Sequence, residues 1–153
     1  GISRGVIPNS YFAKGHYFQL NGKHPFNKHL IYPLHTKNSL GIHVSVDLSG
    51  KARFGPDVSW IDELDYSFDE LLKDKFVNSI LTYWPNLNPE KLSPDYTGIR
   101  PKIYAPGEEP ADFMLQTSSE HQIEGLINLF GIESPGLTCA LSLAKKVADN
   151  LLN

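Results

Sequence analysis

Ile42-His43-Val44-Ser45-Val46-Asp47-Leu48-Ser49-Gly50-Lys51-Ala52-Arg53-Phe54-Gly55 is the stretch on which the fold turns. Its first half alternates: Ile42, Val44 and Val46 fall on one face of an extended strand, and His43, Ser45 and Asp47 on the other. Asp47 to Gly50 supplies turn residues, and Lys51 to Gly55 reads as the returning strand. A hairpin means antiparallel pairing. Upstream, Tyr17-Phe18-Gln19-Leu20 is a short aromatic strand closed by the turn dipeptide Asn21-Gly22, and Leu30-Ile31-Tyr32 is another, stopped by Pro33.

Downstream, a helix interrupts the strands. Ser67-Phe68-Asp69-Glu70 matches a capping box. Phe68, Leu71, Leu72, Phe76, Ile80, Leu81 and Trp84 form one apolar stripe, which predicts a helix over 67–84 ended by Pro85. Asn86 to Pro94 reads as a turn-rich connection. Gly98 to Tyr104 reads as a strand, at an edge or bulge because of Pro101, with Asp112 to Gln116 as its antiparallel partner. Gly125 to Phe130 is nearly all apolar, as in a strand covered on both faces. A turn follows from Gly131 to Gly136, with Ser134 as N-cap and Pro135 in the first helical turn. The last helix is expected to start there and to run to the chain end. The reading is an α+β fold: an antiparallel or mixed sheet with a packed helix over 1–120, then a strand–turn–helix piece over 121–153. That last piece, without a partner sheet in this sequence, is expected to expose apolar surface or to self-associate through it.

Composition narrows the function classes. The chain has 153 residues, enough for one domain, and 41% of them are hydrophobic, which excludes disorder. The net charge of −3 offers no global attraction to nucleic acid or to an acidic membrane. No apolar run is long enough to cross a bilayer. One cysteine, Cys139, rules out an internal disulfide and a multi-cysteine zinc site. With no signal-like start in Gly1-Ile2-Ser3-Arg4, the expected location is cytoplasmic.

Few residues carry chemistry. Arg100 sits between apolar neighbours on a strand; it is either a bidentate clamp for a carboxylate or a surface arginine with a buried stem. His43 is the histidine of most interest, as a base or donor on the hairpin's polar face, or simply an exposed strand residue. His16, His24, His29, His35 and His121 lie near predicted turns and are expected to face water. No pair of histidines has metal-ligand spacing, so no metal is expected. The turn Gly131-Ile132-Glu133-Ser134-Pro135-Gly136-Leu137-Thr138 is either an ordinary helix cap or a place where outward-facing amides meet an acceptor-rich ligand. Asp62, Glu63, Asp65, Asp69 and Glu70 read as a solvated helix entry.

Taken together, certain motifs are specific. Lys14-Gly15-His16-Tyr17-Phe18, His29-Leu30-Ile31-Tyr32-Pro33, Leu40-Gly41-Ile42-His43, Phe54-Gly55-Pro56-Asp57, Gly98-Ile99-Arg100-Pro101-Lys102 and Asn128-Leu129-Phe130-Gly131-Ile132-Glu133-Ser134-Pro135-Gly136-Leu137-Thr138 occur in that order. The sequence resembles the C-terminal half of FAD-dependent oxidoreductases of the D-amino-acid oxidase and glycine oxidase superfamily, in particular the L-2-hydroxyglutarate dehydrogenase-like branch. The resemblance implies that 1–120 is a substrate-binding domain and 121–153 the returning piece of an FAD-binding domain. The parent enzyme would then oxidise a small 2-hydroxy acid by hydride transfer to FAD. Amine oxidation of an amino acid and a non-catalytic, small-acid-binding scaffold are the alternatives. By the same resemblance, Arg100 clamps the substrate carboxylate, Lys102 meets a second carboxylate, His43 lies near the reacting centre, and Gly131, Ile132, Glu133, Ser134, Gly136, Leu137 and Thr138 contact the flavin. No Gly-x-Gly-x-x-Gly turn occurs in these residues, so the chain alone is expected to be inactive and to retain no FAD.

Overall fold

The computed structural model describes residues 2–26, 29–34 and 41–152; His35 and Leu40 lie outside the described residues. The chain divides into two compact units, one of Phe12–Arg100 and one of Gly1–Tyr11 with Pro101–Asn153. The boundary between these two compact units falls at Arg100, inside a strand.

The larger unit is built on a five-stranded sheet in the order β2-β3-β1-β4, with β5 also paired to β1. These strands are β1 Tyr11–Leu20, β2 His43–Val46, β3 Ala52–Gly55, β4 Ser59–Ile61 and β5 Leu92–Lys102. The hairpin of β2 and β3 is antiparallel, with Val44 opposite Phe54 and Val46 opposite Ala52. Its turn is tied by the Asp47 carboxylate, which accepts from the Ser49 hydroxyl at 2.6 Å and from the Ser49 and Lys51 amides at 2.8 and 3.0 Å. Those bonds, led by the Ser49 hydroxyl, pull the Asp47 carboxyl down to about 2. Phe54 also lies opposite Phe18 of β1, so the hairpin joins β1 at two fully buried phenylalanines.

Two expectations on this unit are corrected. Leu30-Ile31-Tyr32 is no strand but a single bridge from Ile31 to Val44. The Ser67 capping box does not form. The Ser67 hydroxyl and amide both donate to the Asp65 carboxylate, at 2.6 and 2.8 Å, so the Ser67 amide is already taken by a carboxylate two residues away and is not left for Glu70. Asp69 caps instead, accepting from Leu71 N at 3.0 Å ahead of the 3-10 turn Glu70–Leu72, and α1 runs over Lys73–Leu81.

The core lies in this unit. Phe18, Phe54, Phe76, Ile80 and Val44 are fully buried, with Phe68, Leu72, Trp84 and others packed around them. Phe76 of α1 meets Phe18 of β1 with ring centroids 4.6 Å apart.

The smaller unit pairs β6 Met114–Gln116 with β7 Asn128–Phe130, antiparallel, and adds α2 Ser118–His121 and α3 Ala140–Leu152. Here the expectations shift again. Met114 to Gln116 pairs with β7, not with the strand before it. The apolar run of Gly125 to Phe130 gives only three strand residues, paired on one side to β6, and its Leu129 is exposed and lines an open groove. The last helix starts at Ala140, since the Gly136 amide turns back onto the Glu133 carbonyl at 2.5 Å and closes a tight turn there. A capping box does occur in this unit, between Thr117 and Glu120.

Among the described residues, every buried apolar side chain belongs to the larger unit. The smaller unit leaves an apolar groove of about 500 Å³ open, lined by Leu129, Ile132, Ala140, Leu143, Val147 and Leu151 among others. Among the described residues no helix is long and apolar enough to cross a membrane.

Truncating Phe76 removes the ring that joins α1 to the sheet. Phe76→Ala is expected to cost about 3–5 kcal/mol of stability, read as a lower denaturation midpoint at unchanged m-value. A loss below about 1 kcal/mol would show that α1 does not carry the core.

A candidate carboxylate site and a glycine-bearing loop

The larger unit gathers its polar chemistry around β5. Arg100 is exposed near the end of that strand. Among the described residues it forms no ion pair with a carboxylate. The neighbouring strand arginine is different: Arg53 bonds Asp47 at 2.9 Å and Asp95 at 2.5 Å. Arg100 instead keeps company with an aromatic wall. Tyr17 of β1 stacks on Tyr96 of β5 with ring centroids 4.5 Å apart and an interplanar angle of 13°. Burial, followed by Tyr96, raises the Tyr17 phenol, while the Arg100 guanidinium acts the other way. The phenol therefore stays protonated and available as a donor.

His43 belongs to the same cluster. Its ring is half-buried and stacks on Tyr32 at 4.3 Å and 20°. Burial lowers its pKa, the Arg100 charge adds to that, and the Gly41 backbone opposes them. A ring lowered from the ordinary 6.5 is neutral at pH 7 and can accept a proton. The structure thus brings His43 and Arg100 into electrostatic contact. Tyr17, which the sequence reading passed over as a strand residue, joins them. Its signal was the period of two: residues 14, 16, 18 and 20 face the core side, which turns Tyr17 to the other face.

A second polar group lies on that core side. His16 and Asp57 are buried, correcting the expectation that His16 faces water. The Asp57 carboxylate accepts from the His16 amide at 2.8 Å, contacts His16 Nδ1 at 2.9 Å and accepts from Lys75 Nζ at 2.9 Å. Burial is the largest influence on Asp57 and opposes its charge, but Lys75 and His16 together outweigh it and hold the carboxyl below the usual range. Lys14, two residues earlier, is also buried and reaches Asp65 at 3.1 Å. His121 is buried too, against expectation, because its Nδ1 accepts from the Ile123 amide at 3.2 Å at the end of α2. His24 bonds the Gly50 carbonyl at 2.8 Å, and His29 is exposed.

In the smaller unit, the segment Gly131 to Thr138 forms a tight loop. Gly131 has φ 66°, and a Cβ there would lie 2.7 Å from Ile103 Cδ1. A Cβ on Gly136 would lie 2.6 Å from both the Glu133 carbonyl and Ile132 Cγ2. Only glycine fits either place. The amides of Glu133 and Gly136 are used inside the loop, and no acceptor among the described residues takes those of Leu137 and Thr138. Two amides left without an acceptor beside a glycine turn suit an acceptor-rich ligand. Lys102, expected to face a substrate carboxylate, is paired with the Glu133 carboxylate of this loop. Ser134 is exposed, and Cys139 packs its Sγ 3.6 Å from the Gly136 carbonyl.

Two measurements test these assignments. The His43 ring should titrate below 6.5 by NMR, and Arg100→Gln should move that value upward by removing a nearby positive charge. Asp57→Asn should cost about 3–5 kcal/mol, because it leaves Lys75 and His16 facing a neutral amide. Since the folded carboxyl is held low, its contribution is complete above about pH 4 and is lost as pH falls through its folded value. A wild-type stability curve that is flat from pH 5 to pH 2 would contradict this.

Comparison with known proteins places these residues in a family. The chain is 43% identical, over 99% of its length, to the mitochondrial L-2-hydroxyglutarate dehydrogenase of Arabidopsis thaliana, and spans 34% of that protein. The fold matches a solved L-alpha-glycerophosphate oxidase of Mycoplasma pneumoniae with FAD bound, with a TM-score of 0.67 and 19% identity, covering 95% of this chain and 37% of that one. The chain thus spans about a third of each relative. The mitochondrial relative overturns the expectation of a cytoplasmic location. Residues 3–150 match the family described as FAD dependent oxidoreductase. Over nearly its whole length, then, the chain belongs to the DAO family of FAD dependent oxidoreductases.

Proposed function

We propose that this chain contributes the substrate-binding part, and a cofactor-contacting loop, of a flavoenzyme that oxidises a small 2-hydroxy acid of the L-2-hydroxyglutarate type. The observation that carries the reading is Arg100: a guanidinium with no carboxylate partner among the described residues, beside a neutral-leaning His43 and the Tyr17 phenol. The relative named for L-2-hydroxyglutarate supports the choice of acid.

Arg100 binds the substrate carboxylate through two parallel bonds, which fixes the plane of the C1 carboxylate and so the direction of the C2 hydrogen. Tyr17, held by its stack on Tyr96, donates to the same carboxylate and limits its rotation. His43 accepts the proton of the C2 hydroxyl, leaving a 2-oxo acid. FAD, when bound, supplies the acceptor for the C2 hydrogen as hydride. Gly131, Ile132, Glu133, Ser134, Gly136, Leu137 and Thr138 hold that cofactor, with the Leu137 and Thr138 amides offered to an acceptor on it.

In the full-length protein that carries this sequence, Arg100→Ala is expected to lower kcat/KM by roughly 30- to several-thousand-fold, the loss of about 2–5 kcal/mol from a charge-assisted pair. Arg100→Lys recovers part of it, because an ammonium cannot form the fork. FAD content stays unchanged in both. Loss of flavin with intact substrate affinity would refute the assignment. Below the His43 pKa the ring is protonated, so kcat/KM falls with pH on a limb lying under 6.5, and His43→Gln should remove that limb.

A further inference from the structure

Lys102 and Glu133 join the end of β5 to the glycine-bearing loop, and nothing in the reaction proposed above requires that pairing. Lys102 Nζ is bonded to Glu133 Oε2, and the Lys102 side chain is 11% exposed. The same ammonium lies 5.3 Å from the centre of the Tyr104 ring. Glu133 is held from three sides. Its side chain meets Lys102, its amide donates to the Gly131 carbonyl at 2.9 Å, and its carbonyl accepts from Gly136 N at 2.5 Å. The loop has no slack elsewhere, since Gly131 abuts Ile103 and Gly136 abuts Ile132. A cavity of about 370 Å³ opens beside it, lined by Tyr104, Asp112, Phe113, Gly131, Glu133 and Ser134 among others.

We propose that Lys102 is a positioning residue for the cofactor loop: through Glu133 it fixes the 131–136 turn, and so the direction of the Leu137 and Thr138 amides, in place of binding substrate. The pair also neutralises Glu133, whose free carboxylate would repel an electron-rich ligand at the same amides. This rests on the loop holding the cofactor, as argued above. A guanidinium reaches the same carboxylate, whereas a thioether does not, so Lys102→Arg retains the latch and Lys102→Met opens it.

The test uses the full-length holoenzyme and free FAD as probe. Lys102→Met and Glu133→Gln are each expected to weaken FAD binding by roughly five- to fiftyfold, the range for one lost charge-assisted pair in a partly buried place. They should also alter the visible flavin spectrum, while substrate KM changes less than about twofold. Lys102→Arg should stay near wild type. The double exchange Lys102→Glu with Glu133→Lys should recover most of the FAD affinity lost in either single charge reversal. Gly136→Val serves as the control on the loop itself. If it leaves FAD affinity unchanged in a folded protein, the cofactor reading of the loop fails, and this proposal with it. If Gly136→Val releases FAD but Lys102→Met does not, the latch alone is refuted. A tenfold rise in KM for Lys102→Met with FAD affinity intact would return Lys102 to the substrate and overturn the proposal.

Discussion

The buried carboxylate of Asp57 is the constraint on which the larger unit is organised. It lies between β3 and β4, and it takes the backbone amide and ring of His16 from β1 and the ammonium of Lys75 from α1. One side chain thereby ties the central strand, the corner of the sheet and the helix that covers it. A carboxylate taken out of water is costly unless its lone pairs are filled, and these three groups, with the Ser59 hydroxyl at 3.4 Å, fill them here. Because the bond to His16 includes its backbone amide, the knot fixes β1 itself and not only a side chain. Fixing β1 decides which face Tyr17 occupies, and with it the aromatic wall beside Arg100.

The cations of the chain divide by what they already hold. Lys14 is committed to Asp65, Arg53 to Asp47 and Asp95, Lys75 to Asp57, and Lys102 to Glu133. A guanidinium or ammonium so paired has little to gain from an incoming anion, since a new carboxylate must displace an old one. Arg100 holds no carboxylate among the described residues, so a new one displaces no ion pair there. The functional reading therefore comes less from the presence of basic residues, which any surface has, than from which of them remain available. The lowered pKa of His43 belongs to the same argument. Burial and the Arg100 charge both disfavour a second cation, and so keep a proton acceptor beside an anion-binding group.

The two units are stabilised in different ways. In the larger one, Phe18, Phe54, Phe76 and Ile80 lose all contact with water, and the pair of Phe18 with Phe76, 4.6 Å apart, fills the space between sheet and helix. In the smaller one, polar bonds dominate: a short antiparallel ladder, the Thr117–Glu120 capping box, the Lys145–Asp149 pair on α3 and the Lys102–Glu133 pair. Its apolar residues line an open groove. Such bonds define a loop's geometry well, but they contribute little free energy compared with burial of several large side chains.

The sequence by itself determined what depends on neighbours along the chain. The alternation of Ile42, Val44 and Val46 placed a hairpin with its core face correctly, because strand period is a local property. The stripe of Phe76 and Ile80 marked the buried side of α1 for the same reason. Arg100, His43 and the Gly131–Thr138 loop stood out through residue type, and the order of short motifs pointed to the family. Tertiary structure alone decided the partners. His16 finds Asp57 across 41 residues and Lys102 finds Glu133 across 31, and no period or composition encodes such meetings. Hence the buried His16 and the commitment of Lys102 were invisible in sequence, whereas the face of Tyr17 follows from the strand period. The same holds for Ser67, whose capping pattern is broken by the nearer Asp65, which accepts from the Ser67 amide that Glu70 would have bonded. A sequence states which groups can ionise, donate or accept, but only the folded chain sets which of them meet and which are left free for a ligand.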